Sequence, residues 1–155
     1  MCGKHYIGPK VEQVVTDFNI HHVVCLVEEH ELVGRYDNYI QWHRDNANSG
    51  GIWFAMPDLS YPDFDDCFEK VNGLAELVRD QGNMLVHCAA GIGRAGTTAT
   101  AILMILGMDE EEATLIMCVY IAPWQALRLE RNEISLQIWV DSSQNNADGE
   151  YHFII

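Results

Sequence analysis

The stretch Met84-Leu85-Val86-His87-Cys88-Ala89-Ala90-Gly91-Ile92-Gly93-Arg94-Ala95-Gly96-Thr97 constrains the chain more than any other. It starts as a short apolar run that reads as a buried strand. It then passes through a glycine-containing loop into a long apolar helix beginning near Ala95. Cys88 closes the strand and Arg94 opens the helix. The backbone N–H groups of Ala89, Ala90, Gly91, Ile92 and Gly93 therefore gather at a helix N-terminus, where the helix dipole favours an anion. Gly91 and Gly93 allow positive φ and close approach of a ligand. Arg94 adds a planar fork suited to two oxygens of one anion. The same field favours the thiolate of Cys88, the nucleophilic form of a cysteine. A cysteine that only packs needs neither the glycines nor the arginine.

His87, Cys88, Gly91 and Arg94 resemble the signature of the protein tyrosine phosphatase superfamily: His-Cys, five residues, Arg. The resemblance implies the fold of the small dual-specificity and archaeal-type phosphatases over about Val11 to Val140. That fold is α/β, with a short, mainly parallel sheet of about four or five strands and a helical bundle covering one face.

Composition sets limits on partners. The chain has 155 residues, 48% of them apolar, enough for one domain with one sizeable core. We expect a single domain over 1–140 and a polar tail over 141–155. The net charge of −14 argues against nucleic acid and anionic membrane surfaces as partners. A phosphate site must then be a local positive island, and with only nine Lys and Arg in the chain, Arg94 stands out. The five cysteines Cys2, Cys25, Cys67, Cys88 and Cys118 are odd in number, irregularly spaced and without the spacing of a zinc ligand set. No metal or cofactor is expected. No apolar run of secretory type precedes Lys4, and Ala95 to Met108 is too short to cross a bilayer, so a reducing cytoplasm is the expected setting.

Taken in order, Val11, Val14, Val15 and Phe18 recur at helical spacing, and Asn19 stops that helix. Ile20 to Val27 reads as a core strand with His21 and His22 as edge or surface residues. The acidic turn Glu28-Glu29-His30-Glu31-Leu32 follows a strand end, where ligand sites of open α/β sheets lie. It also resembles the matching segment of archaeal-type phosphatases. A carboxylate there either bonds the phosphate loop or belongs to a solvated turn. Tyr36, Tyr39, Ile40 and His43 mark a second helix, and Ile52 to Met56 a short strand. A helix over Phe64 to Arg79 carries Phe64, Phe68, Val71, Leu74, Ala75 and Val78 on one apolar face, ended by Gly82. The helix from Ala95 to Leu106 is apolar on nearly every face, so burial all round is expected. Asp109 and Glu112 form a capping box for a further helix, and a last one spans about 125–140.

Phosphoester hydrolysis needs a nucleophile, stabilisation of charge on the equatorial oxygens, and a general acid for the leaving group. Cys88 is the candidate for the first. Arg94 and the loop N–H groups serve the second. In the resembling family the acid is an aspartate about thirty residues before the cysteine, which points to Asp58 in Pro57-Asp58-Leu59-Ser60-Tyr61-Pro62. Asp63, Asp65 and Asp66 are rivals that also suit a helix N-terminus. By the same resemblance His87 orders the loop from behind.

Two positions depart from the family pattern. The residue after the arginine is usually Ser or Thr and here is Ala95; Thr97 supplies a hydroxyl two residues on, pointing to another helix face. Ala90 to Ala95 is similar to the phosphatases of regenerating liver, which turn over slowly. The water-positioning glutamine expected after Pro123 does not register cleanly, since Leu127 occupies its place and Gln125 lies nearby. Cys25 lies near the end of the strand expected beside Met84–His87. It is either a small buried hydrophobe or an oxidation partner for Cys88. The leading expectation is a phosphatase acting on phosphotyrosine and on phosphoserine or phosphothreonine. The substrate is a phosphorylated protein or small phosphoester. The competing readings are a phosphatase-fold module that binds or traps phosphorylated partners, and a sulfur- or arsenate-transfer enzyme.

Overall fold

Two runs without polar alternation, His22–Cys25 (β2) and Met84–Cys88 (β4), are buried at every residue. Such runs suit parallel strands covered on both faces. A computed structural model of the chain describes residues 2–59 and 64–116 and places these two strands side by side, with His22, Val23, Val24 and Cys25 opposite Met84, Leu85, Val86 and His87. Pro62, Asp63, the Phe64 side chain, Cys118, Pro123, Gln125, Leu127, the expected helix over 125–140 and the tail 141–155 lie outside the described residues.

Two shorter strands complete the sheet. Gly51–Trp53 (β3) flanks β2, and Cys2–Gly3 (β1) flanks β4, giving the all-parallel order β1-β4-β2-β3. The second strand expectation was Ile52 to Met56. The regular strand ends at Trp53, but Phe54 and Met56 still donate backbone hydrogen bonds to Cys25 and Leu26 at 2.9 and 3.1 Å. β1 and the short helix Lys4–Ile7 (α1) have no counterpart in the sequence reading, because two residues carry no periodicity.

The pleat sorts side chains to two cores. Val24, Leu26, Met84, Val86 and Cys88 face Phe64–Gln81 (α4) and Gly93–Ile105 (α5). Cys2, Val23, Cys25, Val27 and Leu85 face α1, Val11–Asp17 (α2) and Asp37–Asp45 (α3). Helices thus cover both faces, where the family resemblance implied one. His22, expected at an edge or surface, is buried, because β2 is an interior strand.

Asn19 and Gly82 end their helices in positive φ, at 48° and 85°. Asp109 accepts the Glu112 N–H at 2.9 Å, opening a helical segment over 110–116. Two helix faces depart from expectation. Phe68 lies on the open side of α4 and is 54% exposed, whereas Val71, Leu74, Ala75 and Val78 are buried. α5 buries Ala95, Gly96, Thr98, Ala99, Ile102 and Leu103 but leaves Thr97 and Met104 exposed.

Leu74→Ala is expected to cost about 2–5 kcal/mol by urea denaturation, as for a large-to-small change in a packed core. Phe68→Ala is expected to cost less than about 1 kcal/mol.

Candidate active site

The carboxyl ends of β4, β2 and β3 meet at one place, and each supplies a chemically distinct group. β4 ends at Cys88, which is buried on the α4/α5 side of the sheet. The chain then turns so that the Gly91 N–H donates to Cys88 Sγ at 3.2 Å. Gly91 has φ +78°, and a Cβ there would lie 2.6 Å from the carbonyl carbon of Cys2. Both backbone conformation and the neighbouring β1 therefore exclude a side chain. Gly93 differs from expectation: it is the first residue of α5 without positive φ, and a Cβ there would meet nothing within 4 Å. Ala89, Ala90, Gly91 and Ile92 form the turn between β4 and α5.

Arg94 is only 8% exposed, and a buried guanidinium requires partners. Nη1 donates to Met56 O at 2.8 Å, to Leu26 O at 3.3 Å and to Glu31 Oε1 at 2.7 Å. Nη2 donates to Glu31 Oε2 at 3.1 Å. Nε lies 3.5 Å from Asp58 Oδ1, and the Asp58 side chain is 65% exposed. Among the described residues, these contacts leave one Nη2–H and the Nε–H beside Asp58 as two parallel donors. That pair matches two oxygens of a phosphate. Asp58 stands where one of those oxygens would lie. The next residue, Leu59, has φ +55° and is almost fully exposed, an uncommon conformation for a bulky side chain.

The acidic turn has one inward carboxylate. Glu29 pairs with Arg44 in solvent at 2.6 Å, and Glu28 caps the short 3₁₀ turn. Glu31 faces Arg94, whose hydrogen bonds pull its carboxyl down to about 2. The turn therefore bonds the arginine of the loop rather than serving only as a solvated turn. Asp65 and Asp66 lie exposed in the first turn of α4, and Asp66 pairs with Lys70 at 2.6 Å.

Behind the loop, His87 Nε2 meets the Tyr39 hydroxyl, which also lies 2.8 Å from His43 Nε2. Burial pushes His43 down to about 4 and His87 down to about 3, so both are neutral at pH 7. Burial pushes the Cys25 thiol up to about 12. Donor atoms of Cys25, His43 and His87 lie within 4.8 Å of one another, a set of transition-metal type. The Tyr39 hydroxyl bonds both imidazole Nε2 atoms, whereas Nδ1 of His43 and of His87 is buried without a hydrogen-bond partner among the described residues. Helical spacing marks Tyr39 and His43 only as helix-face residues, because the contact of Tyr39 with His87 spans 48 positions.

Cys25 stands opposite His87 in register, so the pleat turns Cys25 and Cys88 to opposite faces. A bridge between them would require a strand to rotate. Cys2, Cys25, Cys67 and Cys88 are free thiols. Ala95 is fully buried at the start of α5, whereas Thr97 points to the exposed side.

A family model described as the Swiss Army Knife protein, DSP-PTPase phosphatase domain (PTP-SAK), matches residues 9–141. The chain belongs to this family. The PTP-SAK chain is similar to the structure of Tk-PTP in its active form, with 27% identity, 72% of each chain covered and a TM-score of 0.57. It is similar to a mutant form of Tk-PTP at 28% identity, with 72% of this chain and 70% of that chain covered and a TM-score of 0.57. Kinase associated phosphatase (KAP), with serine in place of its catalytic-site cysteine, shares the fold at 16% identity, covering 77% and 76% at a TM-score of 0.53. No curated protein sequence matches significantly. The PTP-SAK match makes this a phosphatase domain of the dual-specificity type. It begins at residue 9, so β1 and α1 precede the matched span.

The buried groups set an acid limit on stability. Two imidazoles with folded values of about 4 and 3, against 6.5 ordinarily, leave the unfolded chain holding more protons as pH falls below about 6.5. Their contribution is complete above pH 6.5 and is lost as pH drops, by up to about 1.4 kcal/mol per pH unit for each ring. Glu31 adds a second loss below about pH 4.5, progressing toward pH 2. Urea midpoints are expected to hold near neutral pH and fall below pH 6.5, with His43→Gln flattening the upper part of that fall.

Proposed function

We propose that this domain is a protein phosphatase acting on phosphotyrosine, and on phosphoserine and phosphothreonine, through a phosphocysteine intermediate. The observation that carries the reading is the Gly91 N–H on Cys88 Sγ at 3.2 Å, directly ahead of a buried Arg94 whose Nε lies 3.5 Å from the carboxylate of Asp58.

In the first step the Cys88 thiolate attacks phosphorus as the bond to the leaving oxygen breaks. Asp58, protonated, gives its proton to that oxygen. Arg94 and the N–H groups of Ala89, Ala90, Gly91, Ile92 and Gly93 hold the three equatorial oxygens. Asp58, now a carboxylate, takes a proton from water, which attacks the phosphocysteine and releases phosphate and the thiolate. The contact of Asp58 with Arg94 Nε supports its role, since the carboxylate reaches the anion position and substrate would displace it. His87 holds the loop from behind, with Tyr39 and His43 as its supports.

Ala95 in place of a hydroxyl residue bears on the second step. Without a hydroxyl donor at that position, departure of the thiolate is slowed and phosphocysteine accumulates. Thr97, on the exposed side of α5, is a poor substitute. The free thiols suit a reducing cytoplasm, and no helix of the described residues is long and apolar enough to cross a membrane. We assign the catalytic unit to residues 1–140, supported by the family match over 9–141, with 141–155 as a polar tail.

Rapid mixing with an aryl phosphate is expected to give a burst of about one phenol per enzyme and then a slow phase. Ala95→Ser should speed the slow phase, Asp58→Asn should lower the burst rate by about 10²- to 10⁴-fold, and Cys88→Ser should abolish release. Turnover by Cys88→Ser would overturn the mechanism.

A further inference from the structure

Lys4 lies ahead of the span that matches the family, yet it is tied to the phosphate loop and to Glu31 at once. Its backbone N–H donates to Ala89 O at 3.2 Å. Its ammonium donates to Glu31 O at 3.1 Å and lies 3.4 Å from Glu31 Oε2. That same oxygen accepts from Arg94 Nη2 at 3.1 Å. Both side chains of the Lys4–Glu31 pair are largely buried, 16% and 15% exposed, so solvent screens them less than an ordinary surface pair.

A carboxylate directly behind the arginine orients the guanidinium but opposes an incoming dianion. Glu31 bonds Nη1 and Nη2 of Arg94 and so fixes the plane of the fork. Its charge also cancels that of Arg94 as seen from the phosphate loop, in a chain of net charge −14. With Lys4 present the trio Lys4–Glu31–Arg94 carries one net positive charge, and the orientation is kept.

We infer that Lys4 is a positioning residue for the phosphatase reaction: it holds and offsets Glu31, so that Arg94 presents both its geometry and its charge to the phosphoryl group. This rests on the phosphatase reading of the site. It assigns a role to β1 and α1, which lie outside the family match. Lys4 acts on the ligand through Glu31 and Arg94, so its removal weakens phosphate binding more than it slows the chemical step.

The test uses the full chain at low salt, with inorganic phosphate affinity by calorimetry and steady-state kinetics on an aryl phosphate. Lys4→Met is expected to raise the phosphate Kd and KM together, roughly 3- to 10-fold, with kcat changed by less than about twofold. Lys4→Arg is expected to restore most of the affinity, and Lys4→Gln repeats the test should Lys4→Met fail to fold. In a Glu31→Gln background, adding Lys4→Met is expected to cost less than about twofold, because the charge it offsets is gone. Wild-type affinity in Lys4→Met overturns the inference. So does an equal loss with and without Glu31→Gln, which would make Lys4 a direct contact. If wild type binds phosphate but turns over no aryl phosphate, the phosphatase reading fails, and the affinity series still decides the role of Lys4.

Discussion

A buried guanidinium holds the site together. Arg94 hydrogen-bonds the carbonyls of Leu26 and Met56 and the carboxylate of Glu31, so the chain after β2, the chain after β3 and the start of α5 are all anchored to one guanidinium. Burying such a charge is costly, and only a full set of acceptors offsets the cost. Two of the acceptors are main-chain carbonyls, which fixes the backbones of the two neighbouring turns as well as the arginine. The position of Asp58, two residues after Met56, follows from that anchoring.

Much of this was legible in the chain, for reasons that differ by residue. Cys88, the loop and Arg94 are consecutive, so strand, turn and helix could be read as one local unit. β2 and β4 were readable because parallel strands buried on both faces need continuous apolar runs. Glu31 was half legible: its turn was marked, but selecting it over Glu28 and Glu29 required the position of Arg94, 63 residues away. Lys4, Tyr39 and His43 were not legible as site residues. Each reaches the loop across the sheet or from a separate helix, and no local pattern encodes such a contact. Helical spacing places Phe68 on the apolar face of α4, yet its ring is about half exposed, because spacing alone does not say how far round the helix the core extends.

The pleat of the sheet separates two chemistries that the sequence lists side by side. His87 and Cys88 are neighbours in the chain, yet one faces α2 and α3 and the other faces α4 and α5. Imidazoles, phenol and the Cys25 thiol occupy the first side as a neutral, hydrogen-bonded cluster. Cys88 has the second side, with the helix N-terminus and the arginine. One strand thereby supports the loop from behind and delivers the thiol in front.

The contact between Gly91 and Cys2 has a consequence for how the domain assembles. The wall of the loop is built from residue 2 and residue 91, and Lys4 closes onto Ala89. Loop closure over such a separation comes late in a folding chain, because its entropy must be met before the contact returns anything. The helices α3 and α4, made of local contacts, are able to form while the anion cradle is still open on one side. The loop behind Cys88 therefore gains its last wall late in folding, and amide exchange at Lys4 would report when β1 has joined β4.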